Sequence, residues 1–84
     1  MPPLFLTLRL TMNQRIPATL VETLDAWFTS GRSTEATGRA LFVHPNTVRY
    51  RLRQVADLTG LSPTDPRDAY TLTLALTLGR LERE

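Results

Sequence analysis

Residues 37–61 read Thr-Gly-Arg-Ala-Leu-Phe-Val-His-Pro-Asn-Thr-Val-Arg-Tyr-Arg-Leu-Arg-Gln-Val-Ala-Asp-Leu-Thr-Gly-Leu. Pro45 suits the first turn of a helix, where its missing N–H does no harm. Val48, Leu52 and Val55 then recur at i, i+4 and i+7, a single apolar stripe that predicts a helix running to about Leu58. Thr59-Gly60 ends it, with Leu61 folding back as after a glycine cap. At 100° per residue the opposite face carries Asn46, Arg49, Tyr50 and Arg53, flanked by Thr47 and Gln54, so this helix is apolar inside and outwardly rich in donors.

Upstream, Phe42-Val43-His44 is a three-residue break after a second short helix. That helix is predicted to start at Ser33, whose hydroxyl can cap the free amides of the first turn, while Glu35 complements the dipole. It runs through Ala36, Thr37, Gly38 and Ala40 to Leu41. Glycine inside a helix costs up to about 1 kcal/mol, which is tolerable if another helix crosses closely at Gly38. Two short helices joined by a three-residue turn, the second exposing polar and basic groups, form a helix-turn-helix candidate. The positional tests are met by Gly38 at the crossing, Val43 after the apex and Val48 within the second helix. Leu41 and Leu52 complete the lock.

Working outward, Thr19 and Glu22 form a capping-box pattern after Pro17. Leu20, Leu24, Trp27 and Phe28 follow on one stripe, and Ser30-Gly31 ends the helix. Trp27, Phe28 and Phe42 are expected in the core. A last helix opens at Asp65-Pro66, reinforced by Asp68, and runs towards Leu81. Residues 70–78 also alternate like a strand, but the start signal and the spacing of Leu74, Leu78 and Leu81 favour helix. Leu72 and Leu76 lie on a second face, an apolar excess that suggests burial against another chain. Leu4, Leu6, Leu8, Leu10 and Met12 alternate with Phe5, Thr7, Arg9 and Thr11, which predicts a strand-like or extended N-terminal arm. The expected fold is therefore all-α, a small helical bundle, with residues 1–17 as an arm and 18–84 as the helix-turn-helix domain.

Eighty-four residues make one small domain, marginal enough in buried surface that a partner copy would help. There is no cysteine and a single histidine, so disulfides, thiolate chemistry and histidine metal clusters are excluded. No apolar run approaches the roughly 18 residues of a membrane span. The apolar start contains Arg9 and lacks a basic lead, unlike a signal peptide. All ten basic side chains are arginine. Arg32, Arg39, Arg49, Arg51 and Arg53 face only Glu35 within residues 32–53, whereas residues 54–84 are net acidic. A basic block of this length is the footprint of a polyanion partner, with a plain solvated face as the competing reading.

The run Ala40-Leu41-Phe42-Val43-His44 followed by Asn46-Thr47-Val48-Arg49-Tyr50-Arg51-Leu52 resembles the signature of the C-terminal helix-turn-helix domain of the PucR/CdaR family of bacterial transcription regulators. Leu58-Thr59-Gly60-Leu61 and Asp65-Pro66 match its spacing. The resemblance covers about residues 19–81 and is most specific at 40–61; more distantly, the motif is similar to that of the factor for inversion stimulation. Gly38 stands where the family usually has alanine, and Ser33 where it often has asparagine. Family members normally carry an upstream sensory domain, and residues 1–17 do not resemble the end of one, so no inducer-binding role is carried over.

A recognition helix at about 45–58 entering a major groove would bring its first two turns to base edges. Asn46 suits adenine, Arg49 suits guanine O6 and N7, and Thr47 suits a thymine methyl or a phosphate. Tyr50 reaches a phosphate or packs on a sugar, and Arg53 meets the backbone. Arg32, Ser33 and Thr34 belong to the preceding helix, whose amides and hydroxyls can hold a phosphate. Arg39 faces solvent. His44 is expected to cap the recognition helix, and Arg51 to lie along the core edge, pairing with an acid.

The expected function is a sequence-specific DNA-binding transcriptional regulator domain, cytoplasmic and nucleoid-associated. It acts on double-stranded DNA as a homodimer, without cofactor, metal, membrane or small-molecule ligand. The alternative is a helical protein-interaction or dimerisation module that has lost DNA contact. An enzyme is disfavoured, since there is no phosphate-binding glycine loop, no metal cluster and no paired carboxylates at helical spacing.

Overall fold

In the computed structural model, which describes residues 16–83, Pro17 rather than Thr19 heads the first helix, α1 (Ala18–Thr29). The backbone of Pro17 is extended (φ −57°, ψ 145°), and its carbonyl accepts from the amides of Leu20 and Val21 at 2.9 and 3.2 Å. The capping box expected at Thr19 and Glu22 is therefore not used. Thr19 is already helical, and its carbonyl accepts from the Thr23 hydroxyl at 2.8 Å. The proline sets the helical start without a side-chain cap, two residues earlier than the box would allow. The far end closes as a Schellman turn, with Gly31 left-handed (φ +69°) and the Arg32 amide donating to the Trp27 carbonyl at 2.8 Å.

The second helix, α2 (Thr34–Leu41), begins as expected, the Ser33 hydroxyl accepting from the Ala36 amide at 3.1 Å. It ends at Phe42, which adopts the left-handed conformation (φ +59°) that glycine usually takes, while the Val43 amide returns to the Gly38 carbonyl at 2.9 Å. That backbone turns the Phe42 side chain outward, where it is 95% exposed. Its placement in the core is thus corrected: the left-handed turn, not hydrophobicity, decides where the ring goes. Gly38 is needed for a close approach, the crowding coming from the Val43 carbonyl in the turn and from Pro45 at the start of α3. A Cβ there would stand 2.7 Å from the Val43 carbonyl oxygen and 3.4 Å from the Pro45 nitrogen.

The third helix, α3 (Pro45–Thr59), has Pro45 in its first turn and ends at left-handed Gly60 (φ +74°). Thr59 closes this end by accepting from the Leu61 amide at 3.1 Å and donating to the Val55 carbonyl at 2.8 Å. The fourth, α4 (Pro66–Arg83), is helical throughout the segment whose pattern also allowed a strand. Two carboxylates order its approach: Asp65 accepts from the Asp68 amide, and Asp68 from the Ser62 amide, both at 3.0 Å.

One core joins the helices. Leu20, Leu24 and Trp27 of α1 meet Val48, Leu52 and Val55 of α3 and Leu72, Ala75 and Leu76 of α4. Ile16 also belongs to this core, and Phe28, Val43 and Leu61 pack against it. α2 packs on both α1 and α3, and α4 lies against α1. The chain is all-α among the described residues. The alternating stretch at residues 4–12 lies outside them.

Candidate nucleic-acid interface

The inward stripe of α3 determines what its other face offers. With Val48, Leu52 and Val55 buried, Asn46, Arg49, Tyr50 and Arg53 stand exposed on the opposite side, Thr47 being partly covered. His44 caps this helix as expected, its Nδ1 accepting from the Asn46 amide at 3.0 Å.

Asn46 and Arg49 are not independent. The Arg49 guanidinium donates to Asn46 Oδ1 at 2.7 Å and lies 3.5 Å from both the Thr34 hydroxyl and Glu35 Oε1 on α2. Thr34 in turn donates to Glu35 Oε2 at 3.0 Å. The two helices of the motif therefore share one exposed polar network, and Glu35 is the member that sequence reasoning had confined to a dipole role. No spacing rule links residues 35 and 49, so only the helix crossing reveals the pair. The Glu35 carboxyl is held below the usual carboxylate range, first by its own backbone amide and then by the Thr34 hydroxyl. Slight desolvation opposes this, and the Arg49 and Arg39 charges add to it.

Tyr50 and Arg53 make no hydrogen bond to the described residues and are open to solvent. Ser33 uses its acceptor in the cap but keeps its hydroxyl proton available. Arg32 is exposed and left-handed (φ +60°) just before Ser33, and no hydrogen bond or ion pair joins its side chain to α3. Arg51 lies apart from this face, its guanidinium donating to the buried Thr23 hydroxyl at 3.4 Å, so a hydroxyl of α1 is its hydrogen-bond partner. Arg39 is exposed, as expected. No group of three metal-binding side chains occurs among the described residues. Among them, too, no helix is long and apolar enough to cross a membrane.

The family model of the PucR C-terminal helix-turn-helix domain matches residues 20–78. The chain belongs to that family. It is a transcription-regulator helix-turn-helix domain, not an enzyme. It is 60% identical over 63 residues to an uncharacterized protein of Mycobacterium tuberculosis strain H37Rv, covering 75% of this chain and 15% of that protein. It is 44% identical over 59 residues to the carbohydrate diacid regulator of Escherichia coli K12, covering 70% and 15%. It is 36% identical over 72 residues to the purine catabolism regulatory protein of Bacillus subtilis 168, covering 86% and 14%. The PucR-type chain therefore spans about a seventh of the length of these relatives. Its fold is similar to the crystal structure of a regulator of polyketide synthase expression from Bifidobacterium adolescentis. That likeness has a TM-score of 0.79 and 39% identity, and covers 90% of this chain and 33% of that one.

Proposed function

We propose that this domain binds double-stranded DNA in a sequence-specific manner, α3 lying in the major groove, and that it does so as a homodimer. The observation that carries the reading is the exposed row Asn46, Arg49, Tyr50 and Arg53 on the face of α3 opposite its buried stripe. Asn46 and Arg49 would reach base edges, Asn46 at adenine and Arg49 at guanine. Thr47, Tyr50 and Arg53 would hold sugar and phosphate beside them. Arg32, Ser33 and Thr34, at the start of α2, would hold the backbone across the groove. The Arg49–Glu35 pair is exposed and of modest strength, so a duplex can displace the carboxylate and take over the guanidinium.

One recognition helix reads few base pairs, so two copies set about 34 Å apart give useful specificity. Tyr70 and Leu74, exposed one turn apart on α4, supply an apolar surface for the second copy. Residues 1–17 would serve as an arm that joins the helix-turn-helix domain through Ile16 in the core and Pro17 at the start of α1, and the setting is the cytoplasm, at the nucleoid.

Selection from a random duplex library tests sequence preference and half-site spacing together. Fluorescence anisotropy then compares the wild type with Arg49→Ala/Arg53→Ala. Loss of duplex retention in the double variant is expected. With about four phosphates neutralised per domain, affinity should also fall roughly a hundredfold for a fourfold rise in salt. Duplex binding unchanged by the double substitution, or assembly indifferent to salt with no duplex affinity, would instead mark a protein-interaction module.

A further inference from the structure

A half-open cavity of about 390 Å³ adjoins the polar face of α3, within the range of small-molecule sites. Four segments build it: α1 contributes Trp27, α2 contributes Thr34, α3 contributes Leu52 and Ala56 with Arg49 and Arg53 at the rim, and the α3–α4 loop closes it with Pro63. Trp27, Leu52 and Pro63 are buried, so the floor is apolar. Hydroxyls of Thr34, Ser62 and Thr64 add to its polar edge, and no carboxylate stands among the lining residues.

Trp27 is 5% exposed, and its indole N–H is buried without a hydrogen-bond acceptor among the described residues. Arg53, free of ion pairs among the described residues, adds a cation at the rim. The lining thus combines an apolar floor with donors and positive charge. A bare phosphate would leave the floor unused, and a neutral apolar molecule would leave the arginines unused.

We propose that this cavity binds a small organic anion, a carboxylate carried on an apolar body. Its carboxylate engages Arg53 and Arg49 while the body lies between Trp27, Leu52, Ala56 and Pro63. Because both arginines are also on the face assigned to DNA, occupation of the cavity competes with the duplex. This last coupling rests on the DNA reading above; the cavity itself does not.

Trp27 is the sole tryptophan of the chain, so its fluorescence reports on this wall alone. Titration of the intact chain with phenylacetate is expected to give a saturable change. Phenylacetamide, with the same ring and no charge, and inorganic phosphate, with charge and no ring, should each bind at least about tenfold more weakly. Ala56→Leu fills the floor while keeping the fluorophore and both arginines, and should lose the titration. Trp27→Phe, followed by calorimetry, should weaken binding while duplex affinity is retained. Unsaturable phenylacetate titration, equal binding of the amide, or full affinity in Ala56→Leu would each overturn the site. Saturable titration without duplex affinity would uphold the cavity and sink the DNA reading. Duplex affinity without titration would do the reverse. Binding of both with no mutual displacement would refute the competition.

Discussion

Arg49 Nη2 stands 3.5 Å from Glu35 Oε1, so the central cation of α3 leans back on the helix before it. The pair lies on the surface, both side chains more than half exposed, and such contacts are worth about 0–1 kcal/mol. It orients the guanidinium beside Asn46 without tying it down.

Glu35→Gln should tighten duplex binding a few-fold, since it removes a negative charge beside the proposed phosphate path. Anisotropy titrations at two salt concentrations check this, the gain shrinking at the higher one. The acid side follows from the depressed carboxyl pKa. Its stabilisation is present above the ordinary value of 4.5 and is lost as pH falls through the lower folded-state value. Wild-type melting should therefore drop on acidification in that window slightly more than that of Glu35→Gln.

Phe42→Gly should stabilise the domain. The left-handed conformation costs a bulky residue about 1–2 kcal/mol, and the fully exposed ring returns little packing. After the extra entropy glycine loses on folding, a gain of about 0.5–1 kcal/mol remains, a rise of a few degrees in melting temperature. A lower melting temperature would mean that the ring packs on something in solution.

Gly38 should show a size series. Alanine gains about 1 kcal/mol in helix propensity but pushes its Cβ towards the Val43 carbonyl, so a net loss under about 1 kcal/mol is expected. Valine adds two methyl groups at the same place and should cost about 2–3 kcal/mol. Denaturant midpoints in the order glycine, alanine, valine would bear this out; valine equal to glycine would contradict the close approach.

Leu72→Ala should cost about 2–5 kcal/mol, enough to unfold much of so small a domain. Leu72 is wholly buried, and α4 packs on α1 through this face. A mild effect in chemical denaturation would mean that α4 is an accessory to the core.

Leu74→Glu should instead leave the monomer's fold intact, because Leu74 is exposed one turn from Tyr70. Sedimentation velocity should then find the variant monomeric at concentrations where the wild type pairs. A variant that still dimerises would move the proposed interface elsewhere.

Periodicity made α3 legible from its residues alone. Three apolar positions on one stripe specify which side turns in, and Ser33, Pro45 and Gly60 mark ends through chemistry that acts over one turn. The Thr19–Glu22 pattern misled because Pro17, two residues earlier, sets the required backbone by its ring. Phe42 misled because hydrophobicity says nothing of a left-handed turn. On α4, leucines occupy more than one face, and only the packing against α1 selects Leu72 and Leu76 over Leu74. The Arg49–Glu35 contact and the cavity beside Trp27 join segments distant along the chain, so no local pattern announces them.

The hydrogen bond from the Asn46 amide to His44 also determines a tautomer. A ring nitrogen that accepts carries no hydrogen, so the neutral imidazole keeps its proton on Nε2. The residue that starts α3 therefore presents a second, unclaimed donor beside Asn46, and replacing it by serine would preserve the cap while erasing that donor.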